Sequence, residues 1–236
     1  MGLRAVRLIE LSLVVSVALL ICALVARAQP AGTRYPKMFP LEQYLIADQH
    51  TEIALARSAG PKAISENAEV MILDRQGYKT AVKGTNGFVC MVERSWTGGF
   101  DFSEFWNPKI RSPICFNPAA ARSYLPITIA KTKLALAGKS QAQIFDAIEA
   151  AVDKKELPGI ETGAMCYMMS KDGYLADTAG HFHPHLMFFV PHTGAKAWGA
   201  NLPDSPVMAG DDIPDRLTIF LVPIARWSDG TTDSHD

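Results

Sequence analysis

The chain has 236 residues, 23 of them basic and 24 acidic, and no long run of either sign. That balance argues against a nucleic-acid surface or an electrostatic membrane patch. At this length one well-packed core is expected rather than two small ones.

The N-terminus reads MGLRAVR, then LIELSLVVSVALLICALV, then Ala26-Arg27-Ala28. A basic start, an apolar run and a small-x-small site in that order predict a secretory signal peptide over residues 1–28, cleaved before Gln29. The run approaches the roughly 20 residues that span a bilayer, so an uncleaved anchor competes. Glu10 and the Ala-Arg-Ala end argue for removal, after which no membrane association is expected. Lipidation at Cys22 would need a small residue before it, where Ile21 stands. Cleavage removes three basic residues and one acidic one, leaving 20 against 23 and a net charge of −3. The protein is therefore expected in the periplasm or outside the cell, where disulfides persist. Of Cys90, Cys115 and Cys166, the pair Cys90–Cys115 is preferred because it closes a short loop between apolar surroundings, although spacing alone leaves other pairings open.

Residues 29–40, with three prolines, read as an extended leader before a single domain over 41–227. Apolar positions from Leu41 to Leu55 recur at helical spacing and predict a helix from Leu41 to about Ser58, stopped by Gly60-Pro61. AEVMILD, KTAVKG and FVCMVERSW then read as three strands. Asn86-Gly87 between the last two is a strong hairpin signal, so an antiparallel meander is expected. Thr97 to Pro113 is aromatic and glycine-rich without a period, and reads as an ordered loop. Its Phe100, Phe102, Phe105 and Trp106 are too apolar for a solvated linker; they cover one end of the core or line a ligand cleft.

Asn117-Pro118 starts a helix that Pro126 interrupts, and a second helical stretch runs to Ala137 with Gly138 as its stop. Ser140 to Gln143 matches a capping box opening a helix to about Leu157. AMCYMMS, LMFFVP and RLTIFLVPI are the remaining strands, with a polar loop from Thr193 to Asp215. The tail 228–236 is expected to be disordered. The fold class is α+β: an antiparallel or mixed sheet of five to six strands, with three to four helices packed on one face.

The segment GHFHPHLMFF places His181, His183 and His185 at alternate positions. On extended backbone they share a face about 6.6 Å apart, a separation that one metal ion can bridge. Zn or Cu are the metals expected of such a set, with Fe and Ni also suited to imidazole. Further ligands would come from Glu93, His192, Asp177 or Cys166. Pro184 lacks an amide hydrogen, so the competing reading is an edge strand or loop whose histidines meet water. If one histidine matters it is His185, nearest the apolar run.

In FVCMVER, alternation puts Val89, Met91 and Glu93 on one face and Phe88, Cys90 and Val92 on the other. An inward carboxylate at Glu93 is the candidate catalytic group, as a general base with a raised pKa; pairing with Arg94 or Arg122 is the ordinary alternative. Met165, Cys166, Met168 and Met169 invite a soft-metal reading, against which methionine is a common core filler. Cys166 with His185 could form a nucleophile and base, but no Gly-x-Ser-x-Gly elbow, Ser-x-x-Lys or phosphate loop accompanies them.

The strings AVKGTNGFVCMVERSW, FWNPKIRSPICFNPAAARS, GAMCYMMSKDGYL and HPHLMFFVP, with WGANLP behind them, resemble a family of exported bacterial proteins known chiefly as uncharacterised. The resemblance implies one export-targeted domain and assigns no activity to any residue. Two functions remain in contention. One is a metal centre on His181, His183 and His185, completed by Glu93 and supporting metal-assisted hydrolysis or oxidation. The other is a non-enzymatic module whose aromatic loop and methionine strand form an apolar pocket for a small molecule.

Overall fold

A computed structural model describes residues 34–99, 101–177 and 183–234. The signal-peptide segment, Phe100 and His181 lie outside them. Among the described residues there are five α-helices and eight strands joined in one mixed sheet, β2-β1-β3-β4-β5-β6-β8-β7. The strands are β1 Glu69–Asp74, β2 Gly77–Val82, β3 Val89–Glu93, β4 Ser112–Phe116, β5 Met165–Met168, β6 His185–Pro191, β7 Met208–Asp212 and β8 Leu217–Pro223. The helices are α1 Gln49–Arg57, α2 Lys62–Ser65, α3 Pro118–Ser123, α4 Leu125–Leu136 and α5 Gln141–Asp153. The α+β class stands, with more strands and helices than the sequence predicts.

The expected meander is corrected. β1 and β2 form an antiparallel hairpin, but β3 crosses to the far side of β1 and pairs with it in parallel. Asn86 does not serve a type I′ hairpin turn: its side chain donates to Ile64 O at 2.7 Å and accepts from Phe88 N at 3.0 Å. Thr85 N donates to Asn67 O at 2.8 Å, fastening the loop over the entrance to β1. The approach is close at Gly84, where a Cβ would stand 2.1 Å from Glu69 N, so only glycine fits.

The long first helix is also corrected. Leu41–Gln43 form a 3₁₀ turn, and α1 begins only after Asp48, whose carboxylate caps it by accepting from His50 N and Thr51 N. Tyr44, which stands in the interruption, is buried, and its hydroxyl donates to Trp106 O at 2.8 Å. Further on, the caps act as expected. Asn117 accepts from Ala120 N, Pro126 opens α4, and Ser140 and Gln143 close both halves of a capping box.

Helices pack on both faces of the sheet, not on one. On the first face, Ala56 and Ala59 from α1 and its end meet Val70, Cys90, Val92 and Cys115. On the second, Ile127, Ile144 and Ile148 from α4 and α5 bury Met91, Ile114, Phe116, Cys166 and Phe189. Strand alternation assigns β3 to both: odd positions join the second face and even ones the first. Cys90 and Cys115 are direct cross-strand partners of β3 and β4 and form a disulfide, which is compatible with export. Cys166 is a free, buried thiol. No helix among the described residues is long and apolar enough to cross a membrane.

Residues 228–234, within the segment expected to be a disordered tail, take part in specific bonds. Trp227 N donates to Thr231 O and Ser228 N to Met169 O, both at 2.9 Å. Lys171 pairs with Asp229 at 2.8 Å.

Candidate functional site

At the C-terminal end of β3, two consecutive charged residues turn to opposite faces. Arg94 enters the first face, where its Nε donates to Tyr44 O at 2.6 Å and a terminal nitrogen donates to Glu52 of α1 at 2.9 Å. A second guanidinium nitrogen donates to Val92 O. Glu52 also accepts from Leu73 N at 3.1 Å, so this buried ion pair is well furnished with hydrogen bonds. Arg122 is taken by Glu161 at 2.6 Å. Neither arginine pairs with Glu93.

Glu93 enters the second face and is only 8% exposed. Its Oε1 accepts from the Thr128 hydroxyl of α4 at 3.0 Å. Burial pushes its carboxyl up to about 7, against the opposing pull of Thr128, Lys131 and Thr97. One helical turn after Thr128, Lys131 is buried with its ammonium 2.6 Å from Asp215 Oδ2 and 3.8 Å from Asp212 Oδ2. Asp212 ends β7, and Asp215 stands in the turn that leads to β8. Burial, and the adjacent Asp215, raise the Asp212 carboxyl while Lys131 opposes them. The second carboxylate oxygen of each aspartate, Oδ1, is buried with no hydrogen-bond partner among the described residues.

Strand β6 brings His185 to the same face, opposite Met168 of β5. Its Nδ1 lies 2.9 Å from His183 O, and since a carbonyl only accepts, Nδ1 carries the hydrogen. Burial lowers the ring's pKa, so it is neutral at pH 7. Glu93, Tyr124, His185 and Asp212 line one cavity of about 600 Å³. Phe102, Met168, Met187, Ile219 and Leu221 supply apolar wall. A second hollow of about 490 Å³ shares Asp212, Ile219 and Leu221 with it and extends along β7 toward Phe145. Both volumes are in the range of small-molecule sites. Tyr124 is held in place by stacking on Phe189 at a centroid distance of 4.0 Å.

No family model, no curated protein and no solved structure matches the chain. The site's chemistry therefore rests on its own residues.

The structure brings together two residues that strand alternation singles out, Glu93 and His185, and with them Phe102 of the aromatic loop and Met168 and Met187 of the methionine-bearing strands. The other residues singled out lie elsewhere. His183 is exposed and meets Asp233 at 2.6 Å. His192 is 3.7 Å from Asp211 at the surface. Asp177 accepts from Tyr35 at 2.6 Å and pairs with Lys109 at 3.1 Å, with Tyr174 also bonded to it. Cys166 sits in the core with its thiol pKa raised by burial. Among the described residues no three His, Cys, Asp or Glu side chains group as ligands of one ion. Phe105 and Trp106 belong to the core, not to the cavity.

Sequence reasoning missed Thr128, Lys131, Asp212 and Asp215. A signal for the first two exists: in LPITIAKTKLAL, Ile127, Thr128, Lys131 and Ala135 fall at helical spacing on one stripe, which places a lysine among core positions. The motif DDIPD marks a turn but says nothing of what its carboxylates meet.

Proposed function

We propose that this exported chain binds a small, largely apolar organic molecule in the cavity between β3, β6, β8 and residues 97–99 and 101–103, and that Glu93 exchanges a proton with it. The observation that carries this reading is the convergence of Glu93, His185 and Asp212, from three separate strands, on one cavity otherwise walled by apolar side chains. A carboxyl held near 7 is populated in both protonation states at neutral pH, which is the condition for a general acid or base. A Zn or Cu centre on His181, His183 and His185 is the less supported reading, because His183 is drawn toward Asp233 while His185 lines the cavity.

A fragment screen by ligand-observed NMR, with neutral, cationic and anionic members, tests the proposal. Met187→Trp and Leu221→Trp each fill the cavity from adjacent strands. The expected result is a set of hits lost in both folded variants. Absence of hits, or hits that persist in both variants, refutes it.

A further inference from the structure

The two hollows are continuous. Gly99, Asp101, Asp212, Ile219 and Leu221 line both. Strand register makes their floor one surface: Met168 pairs with His185, Met187 with Leu221, and Leu221 with Met208, so these side chains stand in rows on one face of β5, β6, β8 and β7. Three strand spacings carry that floor about 14 Å across the sheet. Methionine supplies much of it, an unbranched side chain that adapts to a flexible partner. Gly210 keeps the second hollow open. It pairs with Ile219 in the middle of β7, and its backbone is outside the left-handed region. A Cβ there would meet nothing within 4 Å. Neither conformation nor packing calls for glycine, which weakens a strand; its missing side chain provides room for a close approach. Met208 and Ile213, which line the second hollow, are 47% and 49% exposed, apolar side chains left in water. Asp212 at the junction is 8% exposed and its carboxylate meets Lys131 and Asp215, so little of it faces the hollows.

Taking the small-molecule reading as its basis, we infer that the ligand is an elongated aliphatic molecule that occupies both hollows, its polar head by Glu93 and His185 and its chain running over Met187 and Leu221 to Gly210. The head is placed by the polar groups: Glu93 and His185 line the first hollow and not the second. The chain is placed by the floor, whose length of about 14 Å matches an extended chain of about ten to twelve carbons. A compact ligand would fill the first hollow and leave Met208 and Ile213 in water.

The test titrates butan-1-ol, hexan-1-ol, octan-1-ol and decan-1-ol against the folded protein by ligand-observed NMR. Affinity should rise about two- to fourfold with each added methylene as far as decan-1-ol, the gain expected when the chain leaves water. Gly210→Phe projects a ring into the second hollow. It should weaken decan-1-ol at least about tenfold and leave butan-1-ol within about twofold, because the short chain ends before that hollow. If Gly210→Phe does not fold, Met208→Trp fills the same hollow from its exposed side and should give the same split. Affinity that levels off at hexan-1-ol, or a variant that affects every chain length equally or none, overturns the elongated ligand and leaves the small-molecule reading standing. Failure of all four alcohols, with compact hits in the fragment screen, does the same. A screen without hits, the alcohols included, removes both.

Discussion

Replacing Glu93 by Gln should change stability in a way that depends on pH, and the sign follows from the direction of the shift. In the unfolded chain the carboxyl titrates near 4.5, and burial moves it to about 7 in the folded protein. Between those values the folded state holds a proton that the unfolded state has released. Stability therefore falls as pH rises through that window, and is constant above it. At about 1.36 kcal/mol for each tenfold change in proton affinity, the full loss is about 3 kcal/mol. Glutamine keeps the acceptor for Thr128 and has no charge to desolvate, so the variant lacks this loss. Urea unfolding of both proteins from pH 4.5 to 8 measures the difference directly. The variant should match or trail the parent at pH 4.5 and exceed it by about 3 kcal/mol at pH 7.5. A difference that does not vary with pH would refute the assignment of Glu93 as a desolvated, protonatable acid.

Removal of the disulfide by Cys90→Val with Cys115→Val should lower stability by about 3 kcal/mol, the chain-entropy value for a loop closed across a separation of 25 residues, read as a drop in denaturation midpoint. Arg94→Met strands the Glu52 carboxylate in the first face and should cost about 3–5 kcal/mol, while the double variant with Glu52→Gln should recover most of it in the same unfolding assay. Cys166 is buried with its thiol pKa raised, so an aromatic disulfide reagent should label it only after urea unfolding, and labelling of the native protein at a comparable rate would contradict that burial.

Local chemistry made part of this architecture legible. Asn117, Pro126, Gly138 and Ser140 each act through the backbone within a turn or two of themselves, and each falls where its chemistry places it. Alternation along FVCMVER likewise assigns Glu93 to the face it occupies. What escaped depends on distant partners. Asn86-Gly87 carries the hairpin pattern, yet its asparagine is claimed by Ile64 O, and β3 goes to the other side of β1. Strand β7 reads MAGDD, with little intrinsic strand preference, and exists because β8 offers it an edge. Strand β4 hides Pro113 and a short apolar run behind the aromatic loop. The same division holds at the site. Glu93 and His185 could be picked out by position in a strand, whereas Lys131, Asp212 and Asp215 acquire meaning only once the Lys131 side chain reaches the end of β7 and the turn before β8.

The adjacency of Glu93 and Arg94 also guards the pairing of β3 against error. A slip by one residue exchanges the faces of every side chain on a strand. Here it would thrust the guanidinium into the acid cavity, away from Glu52, and push the carboxyl among the alanines of α1. Both charges would be misplaced at once, and Cys90 would lose its place opposite Cys115. The strand thus carries an electrostatic key and a covalent latch that admit the same single alignment.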